Sequence, residues 1–482
     1  MSGYFFVRGT SGKMNGYMVF ALIACLTGCR QSTPLSTQRI ELELPAVWSA
    51  GASSQAANKE WWRSFRAPEI EQWVQDALSH NHDLQIAAIR LERARTEARM
   101  AGFASRPKLD VSVSGEKRQS SFIGLPFGGS GISRYRYESY GTSAGLNWEM
   151  DLWGRIRAGR SIARTEAKAA EYELEAARLS IVAQAVRLWV QLAEAQIQER
   201  LAGESVLLLE QTLLQVKLRL NAGRGNALNV QQTRANLSEA KSTVVQWRIR
   251  SERLARSMEL LAGQTPSGVK LATTELSYLP SLLSGVPAGI PAELLTRRAD
   301  IVAALARIHA ANLSIAEADA GLLPRVGLTS SVGTSSDELK GLLNGDSLIW
   351  SIGGSLSQTI LFPDEQQARL NSRSLKAEEA VLSYRQKIMA ALHEVETALN
   401  AGSLLSVQRR HNEVAVENAQ KVMVLTDQRF ELGLVNAATL LDAQRRLLIS
   451  RSALISVRRA ELENRIDLHL ALGGEISVED VP

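Results

Sequence analysis

Residues 219–227 read RLNAGRGNA, and residues 429–437 read RFELGLVNA. Each stretch lies inside a longer segment that occurs twice. The segment from about Leu146 to Gly263 matches the segment from about Leu356 to Gly473 in residue type, with an offset of about 210 residues. Such self-similarity marks an internal duplication, which has to be recognised before a fold is assigned. Each copy is predicted to contain a short strand, a very long helix, a turn at the quoted stretch and a second long helix.

Periodicity and proline spacing both favour long helices. Apolar residues recur in steps of three and four around each turn, and a strict step of seven over residues 441–462 predicts a coiled-coil seam. No proline lies within 127–265 or 364–481, and a proline inside a helix costs about 3 kcal/mol. A helix over residues 155–221 would be on the order of 100 Å long. It therefore has to lie against parallel neighbours over its whole length.

The composition agrees with long packed helices, because the chain is 45% hydrophobic but only 5% aromatic. Its 482 residues suffice for several domains or for one elongated body. The formal net charge is +5, and the charges are dispersed along helix faces. This excess is too small and too scattered to indicate a nucleic-acid partner.

Residues 1–28 have the features of a secretory signal, with Lys13, an apolar run over residues 18–26 and no acidic residue. The run is too short to span a bilayer as a helix. It ends in Leu26-Thr27-Gly28-Cys29, the pattern of a lipobox, so Cys29 is predicted to carry lipid that anchors the N-terminus to a membrane. Arg30 indicates sorting to the outer membrane. The alternative is an ordinary signal with a buried cysteine.

Four stretches alternate apolar with small or polar residues, two ahead of each helical hairpin. They centre on residues 109–113, 144–150, 326–332 and 348–356, and a Gly/Ser/Tyr-rich loop is expected over about 119–137. About ten residues with one apolar face match a transmembrane β-strand, although a soluble antiparallel sheet has the same pattern. The long helices and the lipobox favour the membrane. Lipid tolerates no open sheet edge and bacterial barrels start at eight strands, so four strands per chain require an oligomer.

No catalytic or metal-binding motif has the context that it needs. The G-x-S-x-G spacing over residues 141–145 lies within a strand pattern rather than at a strand-to-helix turn. His393-Glu394 begins like a zinc-peptidase helix, but Thr397 stands where the second histidine must be. His80 and His82 are typical of capping or surface residues rather than of a metal site. We expect no enzyme activity, no metal, and no cofactor beyond the lipid on Cys29.

Several motifs match one family in order along the mature chain. They are IPAELLTRRADI at 290–301, LNWEMDLWGR at 146–155, Trp61-Trp62, and the helix turns RLNAG at 219–223 and RFELG at 429–433. On these motifs the sequence resembles the TolC-like outer-membrane factors, in the lipoprotein branch that serves resistance-nodulation-division (RND) pumps, the NodT type. Two positions depart from the family pattern. Ala299 replaces a usual proline, which would soften the linker turn, and Pro363 stands opposite Gly154, where the first residue of a helix tolerates proline.

The resemblance implies a mixed, mainly α fold. Long coiled-coil α-hairpins would form a periplasmic α-barrel, and four transmembrane β-strands per chain would contribute to a trimeric 12-stranded β-barrel. The protein would sit in the outer membrane of a Gram-negative bacterium as a passive conduit for small molecules or drugs. Its partners would be two further copies, outer-membrane lipid, a periplasmic adaptor (membrane-fusion) protein and an inner-membrane RND transporter.

The resemblance also assigns roles at the two turns, which would form periplasmic tips. Glycine favours the left-handed cap that ends a helix, so the alternative to a docking role is that the turn glycines only cap their helices. The family has a pore-facing carboxylate at the position of Asp442 and a second one at the position of Thr439. Because threonine replaces the second carboxylate, this chain would carry a weaker acidic gate. Repulsion within a ring of three carboxylates should raise at least one pKa; the alternative is a first-turn aspartate favoured by the helix dipole. The predicted adaptor contacts are Arg219, Asn221, Ala222, Gly223, Ala227, Arg429, Leu432 and Gly433.

The predicted organisation has eight parts. They are a lipoprotein signal peptide (1–28), an N-terminal anchor with the first equatorial helices (29–106), strands 1–2 (107–152), the first hairpin (153–263), an equatorial linker and helix (264–323), strands 3–4 (324–362), the second hairpin (363–473) and a C-terminal tail (474–482).

Two other functions stay open at this point. A type I secretion conduit would have the same fold but would carry polypeptides, and a structural periplasmic coiled-coil lipoprotein would need no membrane strands. The lipobox and the Trp153-Gly154 junction favour efflux. The sequence leaves open the exported substrate, the cognate pump and adaptor, the true start methionine and whether the tunnel is open or closed.

Overall fold

A computed structural model describes residues 45, 47–48, 60–122, 133–266, 278–280, 289–358 and 363–473. The predicted signal peptide (1–28), the lipid attachment site Cys29 and the C-terminal tail (474–482) lie outside the described residues.

The described chain alternates helices and strands in the order that the duplication predicts. A short 3₁₀ helix, Trp61–Phe65, precedes α1 (Pro68–His80), α2 (His82–Phe103), β1 (Lys108–Phe122), β2 (Ser133–Met150), α3 (Arg155–Asn221) and α4 (Ala227–Leu261). The second half contains α5 (Leu294–Arg297), α6 (Ala299–Ala320), β3 (Arg325–Ser336), β4 (Leu348–Ser357), α7 (Pro363–Glu431) and α8 (Ala437–Leu472). Helix α3 begins and ends where the sequence predicts, and Pro363 is indeed the first residue of α7.

The helices of each hairpin differ in length by a factor of about two. Helices α3 and α7 have 67 and 69 residues, whereas α4 and α8 have 35 and 36. The half of each long helix beyond its hairpin partner packs elsewhere, because α3 also contacts α1, α2 and α6, and α6 contacts α7. Helix α3 is therefore the element on which most of the others assemble.

The predicted seams are the faces that the hairpins bury. In α3, Leu209 and Val216 are buried, and in α4, Ala240, Ser251 and Met258 are buried. The remaining predicted positions of the first hairpin are half-buried, namely Val206, Leu213, Leu220, Leu237, Val244, Trp247, Leu254 and Leu261. The three-four steps in the sequence thus locate the packing interface correctly.

The largest core cluster lies at the middle of the molecule, away from both sheet and tips. It joins the 3₁₀ helix and α1 to the middle of α3, with Val186 and Trp189 almost fully buried, and to the ends of α4 and α8 through Met258 and Ile466. Helix α6 has the length and composition to cross a membrane, but half of it is buried inside the protein, against α3 and α7. It is a core helix.

The four strands form one antiparallel sheet in the order β1-β2-β3-β4. Strands β1 and β2, with 15 and 18 residues, are longer than the ten expected. The loop predicted over 119–137 was too long, because Gln119 to Phe122 pair with Ser133 to Arg136. Ser120, Ser121 and Ser133, whose small polar side chains had favoured a loop, are instead paired within the two strands.

The strand register gives the sheet one apolar and one polar side. On the apolar side Leu109 lies opposite Leu146, and Trp148 lies opposite Leu328. On the polar side Ser112 and Ser143 are hydrogen-bonded through their hydroxyl groups at 2.8 Å, as are Ser331 and Ser351. This division is the one that a sheet between lipid and an aqueous lumen requires.

Candidate functional site

Both hairpin turns are built by the same backbone motif. At the first turn the N–H of Gly223 donates to Leu220 O at 2.9 Å, and the N–H of Arg224 donates to Arg219 O at 2.9 Å. These two bonds define a Schellman motif, which needs a left-handed residue after the helix, and Gly223 has φ +71°. The second turn repeats the pattern at Gly433, with φ +73°. The prediction of glycine caps is confirmed.

Asparagine begins the outgoing helix after each turn. The side chain of Asn226 accepts from the N–H of Leu228 at 2.9 Å, and that of Asn436 accepts from the N–H of Thr439 at 2.9 Å. Each side chain thereby satisfies a backbone donor that has no partner inside the helix. The hydroxyl of Thr439 also donates to the Asn436 side chain at 3.0 Å. Thr439 is exposed and serves the cap in the single chain.

The two tips pack against each other at one end of the molecule. The shared cluster, which we call the tip cluster, has Phe430 and Leu440 almost fully buried at its centre. Its other buried members are Val216, Val230, Met423, Ala437, Ala443 and Leu447. All four hairpin helices contribute, so the tips form one unit rather than two independent loops.

Arg219 is part of that unit rather than a free surface residue. Its guanidinium carbon lies 3.8 Å from the centre of the Phe430 ring, and its Nη2 donates to the carbonyls of Phe430 and Glu431. The side chain therefore ties the end of α3 to the end of α7. Arg219 is half-buried in the single chain, and its contact with an adaptor stays a prediction.

The other predicted adaptor contacts are open in the single chain. Exposed positions at the first tip are Asn221, Ala222, Gly223 and Ala227, and those at the second tip are Arg429, Leu432 and Gly433. Besides Arg219 and Arg429, a second duplicated pair differs in exposure: Ala437 is buried to 98% in the tip cluster, whereas its counterpart Ala227 is exposed. The equivalent face of the first tip is thus without a partner in the single chain.

A buried polar contact joins the two hairpins just behind the tips. Gln444 Nε2 donates to Thr212 Oγ1 at 2.9 Å, and Thr212 Oγ1 donates to Leu208 O at 2.9 Å. Gln444 Oε1 has no protein partner among the described residues. This contact cannot be predicted from the sequence, because a single glutamine and a single threonine on separate helices carry no local signal.

Asp442, which is predicted to be a gate carboxylate, lies in two ion pairs. Its oxygens are 2.9 Å from Arg445 Nη2 and 2.7 Å from Arg446 Nε. Hydrogen bonds and attraction from Arg446 and Arg445 hold the pKa of Asp442 below its ordinary value. The single chain thus shows the opposite direction from the raised pKa that repulsion in a ring would give. Asp442 is also not a first-turn residue, since α8 begins at Ala437 and has no acid in its first turn.

The linker motif forms an ion-pair network at the middle of the molecule. Arg298, which is only 11% exposed, donates to Asp300 at 2.9 Å, to Glu394 on α7 at 2.6 Å and to Ala471 O at 3.0 Å. Burial disfavours both charges, but the pairing outweighs it, so the pKa of Arg298 is raised and that of Asp300 is lowered. Ala299 was expected to make the linker turn more flexible, but the ion pairs of Arg298 fix the start of α6 against the end of α8.

Within the described ranges, no group of three or more His, Cys, Asp or Glu side chains is arranged to hold a metal ion. His80 Nδ1 contacts the backbone oxygen of Asp76 at 3.1 Å, and His82 Nδ1 contacts Gln85 Oε1 at 3.4 Å. Both histidines are exposed at the junction of α1 and α2, where Asn81 provides the cap. Both are surface residues beside a helix cap, as their position in the sequence predicts.

A family model described as outer membrane efflux protein matches residues 73–263 and 290–474, which is most of the chain. The chain belongs to the outer membrane efflux protein family. It has the TolC-like fold and is an outer-membrane channel for efflux, as the resemblance of its motifs predicts.

Named relatives and a solved structure agree over nearly the full length. The chain is 29% identical over 471 residues to the probable efflux pump outer membrane protein SepC of Pseudomonas putida, covering 95% of this chain and 96% of that one. It is 28% identical over 457 residues to the pyoverdine export outer membrane protein OpmQ of Pseudomonas aeruginosa, covering 94% and 95%. The structure of the outer-membrane channel OprN superposes with a TM-score of 0.83 at 27% identity, covering 90% and 98%. These similarities favour efflux over both alternative functions.

Proposed function

We propose that three copies of this efflux channel close a 12-stranded barrel in the outer membrane, continuous with a barrel of helices in the periplasm. The observation that carries the proposal is the open sheet, in which β1 and β4 each leave one edge unpaired. Lipid tolerates no unpaired backbone edge. Because consecutive strands are antiparallel, β4 of one copy can pair with β1 of the next in the same sense. Repeating this contact around an axis closes a ring.

The test of this assembly is the mass of the detergent-purified protein together with its conductance in a planar bilayer. We expect a mass three times that of the processed chain, resistance to dissociation in detergent gels until heated, and stable unit conductance steps. A monomer, or a trimer that never conducts, would contradict the proposed channel.

The channel is further proposed to act in a tripartite RND-type pump, with a periplasmic adaptor docking on the exposed tip residues. The exposed face around Ala222 and Ala227 supports this assignment, because Ala437, the second-tip counterpart of Ala227, is already buried within the chain. Ala222→Trp should abolish efflux and adaptor cross-linking while trimers still form. The matched control is Ala88→Trp on the exposed part of α2, which should leave both unchanged. Undiminished cross-linking in the Ala222 variant would place the contact elsewhere.

The lipid on Cys29 is the last part of the proposal, motivated by the lipobox. Cys29→Ser should block lipid-coupled processing, which mass spectrometry and fatty-acid labelling detect. The barrel should stay in the membrane without the lipid, because closure of the strands holds it there. A variant with normal labelling and wild-type mass would show that Cys29 is not the attachment site.

A further inference from the structure

A cavity of about 650 Å³ lies where the sheet meets the helices. All four strands line it, with Lys108, Asn147, Thr329 and Ser355 among their contributions. The register places these residues on the polar side of the sheet, since Lys108 pairs with Asn147 and Asn147 pairs with Thr329. In a barrel this side faces the aqueous lumen. The cavity therefore opens on the path that exported molecules take.

The cavity is strongly basic. Its charged lining is Arg106, Lys108, Arg155, Arg160 and Arg325 against Glu149 and Glu317. An adjoining cavity of about 520 Å³ shares Arg155, Arg325 and Glu317 and adds Arg369, Arg373 and Lys376. We call the two together the basic vestibule. It has eight cationic side chains against two carboxylates, an excess larger than the +5 of the entire chain. The positive charge of this protein is thus concentrated in one place, which was not visible along the sequence.

Six of these eight cations make no ion pair with an acidic side chain within the described ranges. Arg155 is held by both oxygens of Glu149, at 2.9 and 3.0 Å, and Arg369 pairs with Glu365 at 2.6 Å. Arg160, Arg325, Arg373 and Lys376 are exposed to the cavities and make no ion pair within the described ranges. Cations that are not neutralised by the protein attract anions from solution.

We propose that the basic vestibule is an anion-binding subsite of the channel, which takes the carboxylate, phosphate or sulfate groups of exported molecules. Rings of lysine and arginine side chains are the linings that select anions in pores, and three copies would surround the axis with three such cavities. The inference rests on the proposed trimeric channel and names its cargo class as anionic. Membrane phospholipid offers the same phosphate chemistry, but of the strand residues that line the cavity only Trp148 and Leu328 belong to the apolar, lipid-facing side of the sheet.

The first test measures binding of pyrophosphate to the detergent-purified channel by titration calorimetry. One unit charge at about 8 Å from a trivalent anion in water changes its Kd on the order of tenfold. The double variant Arg325→Gln/Arg373→Gln should therefore weaken binding by at least that factor. Arg325→Lys/Arg373→Lys, which keeps both positive charges, should bind like the wild type. Heat-resistant trimers in gels verify that each variant folds.

The second test separates this inference from the channel proposal. In a KCl gradient across a planar bilayer, the double glutamine variant should lower the chloride-to-potassium permeability ratio about twofold or more, since one charge at about 8 Å changes local ion concentration about twofold. Conductance with an unchanged ratio and unchanged pyrophosphate binding would leave the channel intact and overturn the subsite. Loss of pyrophosphate binding in the variant without any conductance would sustain the subsite and contradict the channel. Phospholipid that copurifies with the wild type and is lost from the variant, without pyrophosphate binding, would overturn the assignment to cargo.

Discussion

At the scale of single residues, the predicted gate consists of Asp442 and the two arginines that pair with it. Asp442 is paired with Arg445 and Arg446 in the single chain, and its pKa is held low by them. We predict that Asp442→Ala shifts the channel toward anions and weakens its block by multivalent cations, because the variant removes the acid and leaves both arginines unpaired. Planar-bilayer recordings measure both properties.

The equivalent position of the first hairpin provides the control for Asp442. Gln232 stands 210 residues earlier on α4, so Gln232→Ala changes the neutral counterpart only. Selectivity and cation block should be the same as in the wild type. If Asp442→Ala behaves like this control, the constriction does not involve Asp442.

The contact of Arg219 with Phe430 yields a second residue-scale prediction. Arg219→Ala removes a cation–π contact worth about 0.5–2 kcal/mol and two hydrogen bonds to backbone carbonyls. Amide hydrogen exchange at residues 428–434 should therefore become several-fold faster, since local opening requires less free energy. Arg429→Ala, at the exposed counterpart, should leave exchange unchanged. Equal acceleration in both variants would mean that Arg219 does not lock the tips.

At the scale of elements, the N-terminal 3₁₀ helix is held by an aromatic stack on the end of α8. The rings of Trp61 and His469 lie 4.9 Å apart and are nearly parallel, at 13°. His469 is 7% exposed, and both of its ring nitrogens have no hydrogen-bond partner among the described residues. Burial, together with repulsion from Arg465, lowers the pKa of His469 to about 3. The folded protein therefore keeps this imidazole neutral.

A pH dependence of stability follows from that lowered pKa. Below pH 6.5 the imidazole of His469 is protonated in the unfolded chain but stays neutral in the folded chain. The free energy of unfolding is therefore unaffected by this group above pH 6.5 and decreases progressively as the pH falls toward 3. At pH 5 the loss is about 2 kcal/mol. His469→Phe keeps the stack and should flatten thermal stability between pH 4 and 7, followed by tryptophan fluorescence in detergent. His80→Phe, at an exposed histidine, should retain the wild-type slope. An equally steep slope in His469→Phe would assign the dependence to other groups.

What the sequence predicts at this scale is what local periodicity determines. The bounds of α3 and the glycine caps at Gly223 and Gly433 were correct, because proline absence, three-four spacing and cap geometry act within a few residues. The stack of Trp61 on His469 joins segments about 400 residues apart, and the Thr212–Gln444 contact joins separate hairpins. Such pairs are selected by tertiary packing and leave no spacing signal in one sequence. The loop error over 119–137 has a related cause, since small polar residues suit both loops and lumen-facing strands.

At the scale of the whole molecule, the duplication predicts how neighbouring copies meet. Within one chain the first hairpin contributes α3 and the second contributes α8 to their shared interface, where Thr212 contacts Gln444. The duplication relates α3 to α7 and α8 to α4. A closed ring then requires α7 of one copy to pack against α4 of the next in the equivalent way. The faces needed are open in the single chain, where Val422 is 49% exposed and Arg234 is exposed.

The offset of about 210 residues identifies a specific pair across this junction, because Val422 corresponds to Thr212 and Arg234 corresponds to Gln444. We predict that Val422→Cys/Arg234→Cys, treated with a short thiol cross-linker in native membranes, forms covalent dimers and trimers on denaturing gels. Thr212→Cys/Gln444→Cys should cross-link within one chain and leave the monomer band in place. Each single-cysteine variant should give no ladder. Failure of the first pair, under conditions in which the second reacts fully, would show that the ring does not repeat the internal interface and that the duplicated hairpins pack inequivalently between copies.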